Sequence, residues 1–216
     1  MKPIQPRNAQ QFPSLLVTIV LSCFFAFCSS QRDYELVDLC DVEPSIVVDM
    51  RYATADNFVG KVLYRESRCV LRRMAAERLG RVQKRLQQQG FGLKVWDAYR
   101  PLSVQKEMWA LVPDSRYVAN PQRGSRHNRG AAVDVTLVDA NGQEVSMPTA
   151  FDDFSESAAA NFADLPDSIL AHRRILQEAM TAEGFKILDS EWWHFDDPDW
   201  ERCELLDVPV EKVGKN

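Results

Sequence analysis

The sequence predicts an α+β domain in which helices flank a mainly antiparallel sheet, and two observations carry that expectation. Two amphipathic helical stretches are separated by short strands rather than regularly alternating with them. An Asn141-Gly142 pair also sits between alternating segments, a strong hairpin signal. Helices and antiparallel strands in this mixed order form one catalytic-sized domain over residues 31–216.

Residues 1–30 stand apart. Lys2 and Arg7 are their only charges, and an apolar run from Leu15 to Phe27 follows, ended by a polar "SSQRDYE". A membrane helix needs roughly 20 apolar residues, so this stretch reads as a secretory signal peptide rather than a span. The expectation is an exported protein of the periplasm or cell envelope. "VLSC" and "FAFC" only partly fit a lipoprotein signal, so lipid anchoring stays open.

Within the domain, "SIVVDMRYATADNFVG" gives a short strand and a polar loop. Ser67 to Gln89 reads as a helix with Leu71, Met74, Ala75, Val82 and Leu86 on one face and Gly90 closing it. "FGLKVWDAYRP" reads as a strand ending at Pro101, and "LSVQKEMWALV" as a short helix. After a loop from Pro113 to Arg126, residues 131–147 alternate, with Val133, Val135 and Leu137 on one face and Asp134 and Thr136 on the other. This predicts two antiparallel strands around Asn141-Gly142. "FDDFSESAAANFADLP" reads as loop. "DSILAHRRILQEAMTAEG" reads as a second helix, opened by Asp167 or Ser168 and closed by Gly184, and "FKILDSEWWHFDD" as the last strand.

Removal of residues 1–30 leaves 24 basic against 31 acidic side chains, a net charge of −7. Such a surface does not suit a nucleic-acid binder, and the expected partner is a small molecule. Three cysteines remain, Cys40, Cys69 and Cys203. Either Cys40 pairs with Cys203 or all three stay reduced, and the absence of a CxxC speaks against a thiolate zinc site.

The chain has three histidines. His172 lies inside the second helix and reads as a helix residue. His127 lies in a polar loop, "SRHNRGAAVDV", seven residues before Asp134, and His194 follows Glu191 by three in "SEWWHFDD". Two imidazoles and one carboxylate, with a position left for water, make a common catalytic zinc shell, and His127, Asp134 and His194 can supply it. Glu191 then remains as a general base beside the metal. The bland reading makes His127 a solvated loop residue and packs His194 under aromatic rings. Residues three apart on an ideal strand face opposite ways, so the Glu191–His194 pair requires a turn or bulge near Ser190–Trp192. Trp192 and Trp193 read as packing residues.

"SRHNRGAAVDVTL" with "EWWHF" closely resembles the zinc D-alanyl-D-alanine dipeptidases, the type associated with vancomycin resistance, in the wider group that shares the hedgehog-like fold. The group's S-x-H-x-x-G-x-A-x-D pattern is matched by Ser125, His127, Gly130, Ala132 and Asp134, and its E-x-x-H by Glu191 and His194. "RYATADNFVGK", "WDAYRP" and "MPTAFDDFSE" resemble the dipeptidase branch, so the likeness covers most of residues 36–200. It implies one Zn2+ per chain held by His127, Asp134 and His194, with Glu191 as catalytic base and Arg100 stabilising the tetrahedral intermediate. A permanent guanidinium suits an oxyanion in a closed site. The resemblance further implies Asp152 as receptor of the substrate ammonium, and Ser125 and Tyr52 as residues lining the dipeptide pocket. The implied reaction is hydrolysis of D-alanyl-D-alanine. A D,D-carboxypeptidase or endopeptidase acting on cell-wall stem peptides, or a non-catalytic zinc module, is the alternative. One departure is Arg126, where a smaller residue is common.

Overall fold

The computed structural model describes residues 32–214; the expected signal peptide therefore lies outside the described residues. From Tyr34 onward the chain forms one α+β unit. Its elements are β1 (Leu36–Asp38), α1 (Leu39–Val42), β2 (Val47–Val48), β3 (Val70–Arg72), α2 (Arg73–Gln87), β4 (Phe91–Asp97), α3 (Leu102–Leu111), β5 (Ala132–Asp139), α4 (Asp167–Ala182), β6 (Lys186–Leu188) and β7 (Glu191–Asp196). The main sheet runs β2-β4-β5-β7-β6 and is antiparallel except for the β2–β4 pair. β1 and β3 form a separate two-stranded ladder. The mixed order and mainly antiparallel sheet are those the sequence predicts. Among the described residues no helix is long and apolar enough to cross a membrane.

Helix α2 presents Ala75, Leu79, Val82 and Leu86, all buried, and α4 presents Leu176, Ala179 and Met180. They join Leu93, Val95, Val133, Val135 and Leu137 in the main core. Each such Val, Leu or Met side chain contributes about 1.5–3 kcal/mol through burial, so this layer anchors the strands whose opposite face bears the polar residues.

Two expectations need correction, and one open alternative is decided. Residues 70–72 are strand, not the start of the helix. The contiguous run Cys69-Val70-Leu71 is buried throughout, and Val70–Arg72 pairs antiparallel with Leu36–Asp38. The Asn141-Gly142 turn forms, with Gly142 at φ 77° as such turns demand. Its return arm, however, is a single bridge, Val138 to Glu144, beside which the Val145 N–H donates to the Leu137 carbonyl (3.2 Å). Cys40, Cys69 and Cys203 are all free, Cys40 exposed and the other two buried, so the Cys40–Cys203 pairing is not made.

Two irregularities in the sheet place chemistry. On β4, Val95 faces Val135 while Asp97 faces Asp134, so Trp96 is an extra residue and Asp97 is turned toward Asp134. On β7, Leu188 faces Glu191 while Ile187 faces Phe195, so residues 192–194 bulge from the β6 ladder just after the Asp189–Ser190 turn. This is the bend that the Glu191–His194 spacing requires. Asp97, Asp134 and His194 thus lie side by side across three adjacent strands.

Candidate metal centre

His127 opens a short 3-10 turn (His127–Arg129) that Gly130 closes at φ 66°. A Cβ on Gly130 would come within 2.9 Å of Leu36 and 3.3 Å of the Arg72 backbone nitrogen, so the motif's glycine answers both the left-handed backbone and the close packing. The turn is fastened to the end of β4. The Arg100 N–H donates to the His127 carbonyl (3.1 Å), and the buried Asn128 amide donates to the Arg100 carbonyl (2.8 Å). Ser125 accepts the His127 N–H on its hydroxyl (3.2 Å).

This fastening points the imidazoles. His127 donates through Nδ1 to the Ala98 carbonyl (2.7 Å), which leaves Nε2 facing inward. His194 donates through Nε2 to Asp196 (2.9 Å), which turns Nδ1 inward. The two inward nitrogens lie 3.2 Å apart, and Asp134 stands 2.9 Å from His194 Nδ1 and 3.4 Å from His127 Nε2. Two lone pairs and a carboxylate aimed at one point repel one another unless a cation sits between them. A tetrahedral ion with ligands at about 2.0–2.1 Å spaces them by roughly 3.3 Å. His127, Asp134 and His194 are all buried and form a group suited to a metal ion. Outer partners such as the Ala98 carbonyl and Asp196 fix ligand tautomers in metal sites generally.

The carboxylates around His194 also favour its imidazolium form. Burial disfavours the His194 imidazolium, but hydrogen bonds to Asp134 and Asp196 outweigh it and hold the pKa up at about 10. The Asp134 carboxyl is held below its usual range, its two imidazole neighbours outweighing the opposing effect of burial. A base whose folded pKa lies above its unfolded value stabilises the fold fully below the unfolded pKa, and that contribution fades as pH rises toward about 10. A metal must displace the same proton. Affinity for a divalent metal ion is therefore expected to climb by up to about tenfold per pH unit between pH 6 and 8, read by chelator competition; a flat profile would contradict proton displacement from His194.

The remaining predicted residues converge on the same cavity, about 510 Å³ in volume, which Tyr52, Arg100, Ser125, Asp152 and Glu191 line together with the three metal-site residues. Glu191 lies 3.9 Å from His194 Nδ1, and burial raises its carboxyl pKa. Arg100 is buried, with Nη2 on Asp97 (2.6 Å), Nη1 on Gln105 (2.9 Å) and its guanidinium 5.0 Å from the Tyr52 ring. Tyr52 donates its hydroxyl to Asp152 (3.0 Å). Asp152 has φ 57°, the only positive value at a non-glycine residue among the described residues, a conformation often found at functional positions. Burial, with the charge of Asp134 second, pushes its carboxyl up to about 8. Trp192 packs inward, donating to Thr149 (2.9 Å), whereas Trp193 forms part of the cavity wall, a role the sequence reading did not give it.

Two supporting carboxylates escaped the sequence reading. Asp97 holds Arg100 and accepts from Tyr64, but its placement depends on the β4 bulge. Asp196 was within reach, since two residues after His194 on a strand is the same face.

Two inward imidazoles and a carboxylate, with a second carboxylate at their side and an open cavity in front, define a metallopeptidase-type hydrolytic centre on an α+β scaffold. The comparisons agree. The D-ala-D-ala dipeptidase family profile matches residues 32–211, and the chain belongs to that family. It is 38% identical over 172 residues to the D-alanyl-D-alanine dipeptidase of Escherichia coli (strain K12), covering 80% of this chain and 89% of that protein. It is 33% identical over 184 residues to the Streptomyces coelicolor enzyme of that name, covering 76% and 90%. Against the Enterococcus faecalis one the figures are 32% over 182 residues, covering 74% and 86%.

Proposed function

We propose that this protein is a zinc-dependent dipeptidase that splits D-alanyl-D-alanine into two D-alanines, with one Zn2+ per chain held by His127, Asp134 and His194. The observation that carries the reading is the meeting of these three residues with Glu191 in one cavity whose wall also bears a half-buried acid, Asp152. Zinc supplies a Lewis acid that polarises a carbonyl and acidifies water at neutral pH.

The side chains do the rest. Glu191 takes a proton from the attacking water, whose oxygen bonds to the scissile carbonyl carbon. Arg100, already charged and fixed by Asp97 and Gln105, faces the negative charge that develops on the carbonyl oxygen. The C–N bond then breaks, and Glu191 returns its proton to the departing amine. Asp152, oriented by Tyr52, receives the free ammonium of the dipeptide, and Ser125 lines the pocket beside His127. An ammonium there relieves the burial cost that holds Asp152 protonated. We also propose export to the periplasm or cell envelope, a reading supported by the charge and apolar length of residues 1–30.

The direct test is hydrolysis of D-alanyl-D-alanine with and without chelator, beside the N-acetylated dipeptide. The free dipeptide should be cleaved in the metal-dependent reaction and the acetylated one poorly. Equal cleavage of both would move the assignment to a D,D-carboxypeptidase. A charge-assisted contact is worth about 1.5–3 kcal/mol. Asp152→Asn should therefore raise KM for the free dipeptide by roughly 10–100-fold, with a smaller change in kcat; an unchanged KM would remove Asp152 from ammonium recognition.

A further inference from the structure

Arg126 departs from the pattern its neighbours follow, and the fold gives it a defined contact. It immediately precedes the 3-10 turn that begins with His127, so it shares a segment with one metal-site residue. Its guanidinium reaches across to the end of β7, where Nη1 forms an ion pair with Asp196 Oδ2 (3.2 Å). The other oxygen of that carboxylate, Oδ1, accepts from His194 Nε2 (2.9 Å). Asp196 is buried, so each of its oxygens needs a polar partner. On its other side the Arg126 guanidinium lies 4.8 Å from the centroid of Trp200, a ring that Arg129 also approaches at 5.6 Å.

We propose that Arg126 is a positioning residue for the metal centre. It holds Asp196 square to the Nε2–H of His194, and thereby holds Nδ1 on the point that His127 and Asp134 also face. A carboxylate engaged through one oxygen can swing about its own axis; an ion pair on the second oxygen fixes its plane. Because Arg126 and His127 are adjacent in the chain, the same contact ties the two imidazole-bearing segments together. The proposal rests on the metal-centre reading above.

Arg126 also brings a positive charge near the centre, and the two effects have opposite signs. If Arg126 acts only as a nearby like charge, its removal tightens cation binding; if it positions Asp196, its removal weakens binding. Zn2+ affinity of the purified full domain, measured by chelator competition, separates them. Arg126→Ala should lose about 10–100-fold in affinity, as expected for outer partners of a metal ligand. Arg126→Lys, able to keep an ion pair to Asp196, should lose less. Asp196→Asn should also lose affinity, and the double variant should be no worse than Asp196→Asn alone, because both act through one contact. A merely structural role would give additive losses. The Co2+-substituted protein adds a second readout: its visible spectrum should shift in Arg126→Ala as the His194 geometry relaxes. Unchanged or tighter Zn2+ binding in Arg126→Ala, or additive losses in the double variant, overturns the proposal. Should Arg126→Ala not fold, Arg126→Lys and Asp196→Asn decide it: a loss in Asp196→Asn with a smaller one in Arg126→Lys supports it, and wild-type affinity in both overturns it. A wild-type domain that binds no Zn2+ overturns instead the reading on which it rests.

Discussion

Glu191→Gln is expected to lower kcat on D-alanyl-D-alanine by about 10²–10⁴-fold, the usual contribution of a positioned acid–base group, while metal content stays at the wild-type level. The amide keeps the shape of the side chain but cannot take a proton. Glu191 stands outside the His127, Asp134 and His194 group, so its loss removes no ligand. Burial raises its carboxyl pKa against the lowering effect of His194, and a raised pKa makes a stronger base. Parallel measurements of kcat and bound zinc decide the matter. Wild-type turnover in a zinc-loaded Glu191→Gln protein would assign the proton transfer elsewhere, and loss of zinc would make Glu191 a ligand.

Arg100→Ala should have two large consequences. Loss of a preorganised donor to a developing oxyanion costs about 10²–10³-fold in kcat. The same change strips Asp97 of its partner at 2.6 Å, and breaking a buried ion pair from one side costs about 3–5 kcal/mol of stability. The Tyr64 hydroxyl, 2.5 Å from the other oxygen of Asp97, lessens that penalty without cancelling the charge. Denaturant midpoints and kcat of the folded fraction separate the two effects. A destabilised protein with wild-type kcat would make Arg100 only a strut for the β4 end. Arg100→Lys tests the geometry, since a single ammonium cannot reach Asp97 and Gln105 and still face the cavity.

The metal centre was legible from few residues because imidazoles are scarce in this chain and their spacing to Asp134 and Glu191 follows a recognisable pattern. Tyr52 and Asp152 were legible only through resemblance. One hundred positions separate them, and no local periodicity announces that a tyrosine hydroxyl will meet that carboxylate. The helices over 102–111 and 167–182 follow from local pattern, since each buries one face against neighbours its own sequence anticipates. Residues 70–72 do not. Their apolar run fits helix or strand equally, and pairing with Leu36–Asp38, more than thirty residues away, decides it. Asp97 was hidden for a related reason, since alternation alone assigns Asp134 the wrong neighbour when one residue is inserted into the opposing strand.

That inserted residue makes the centre depend on how β4 bends as well as on which side chains it carries. With Trp96 drawn into a regular ladder, Trp96 would face Asp134 and Asp97 would turn to the far side of the sheet. Arg100 would then have lost its anchor without any change to Arg100 itself. A variant whose β4 runs straight past Val95 should accordingly lose catalysis although every reactive group is still present, whereas removal of Trp96 keeps Asp97 in the position opposite Asp134.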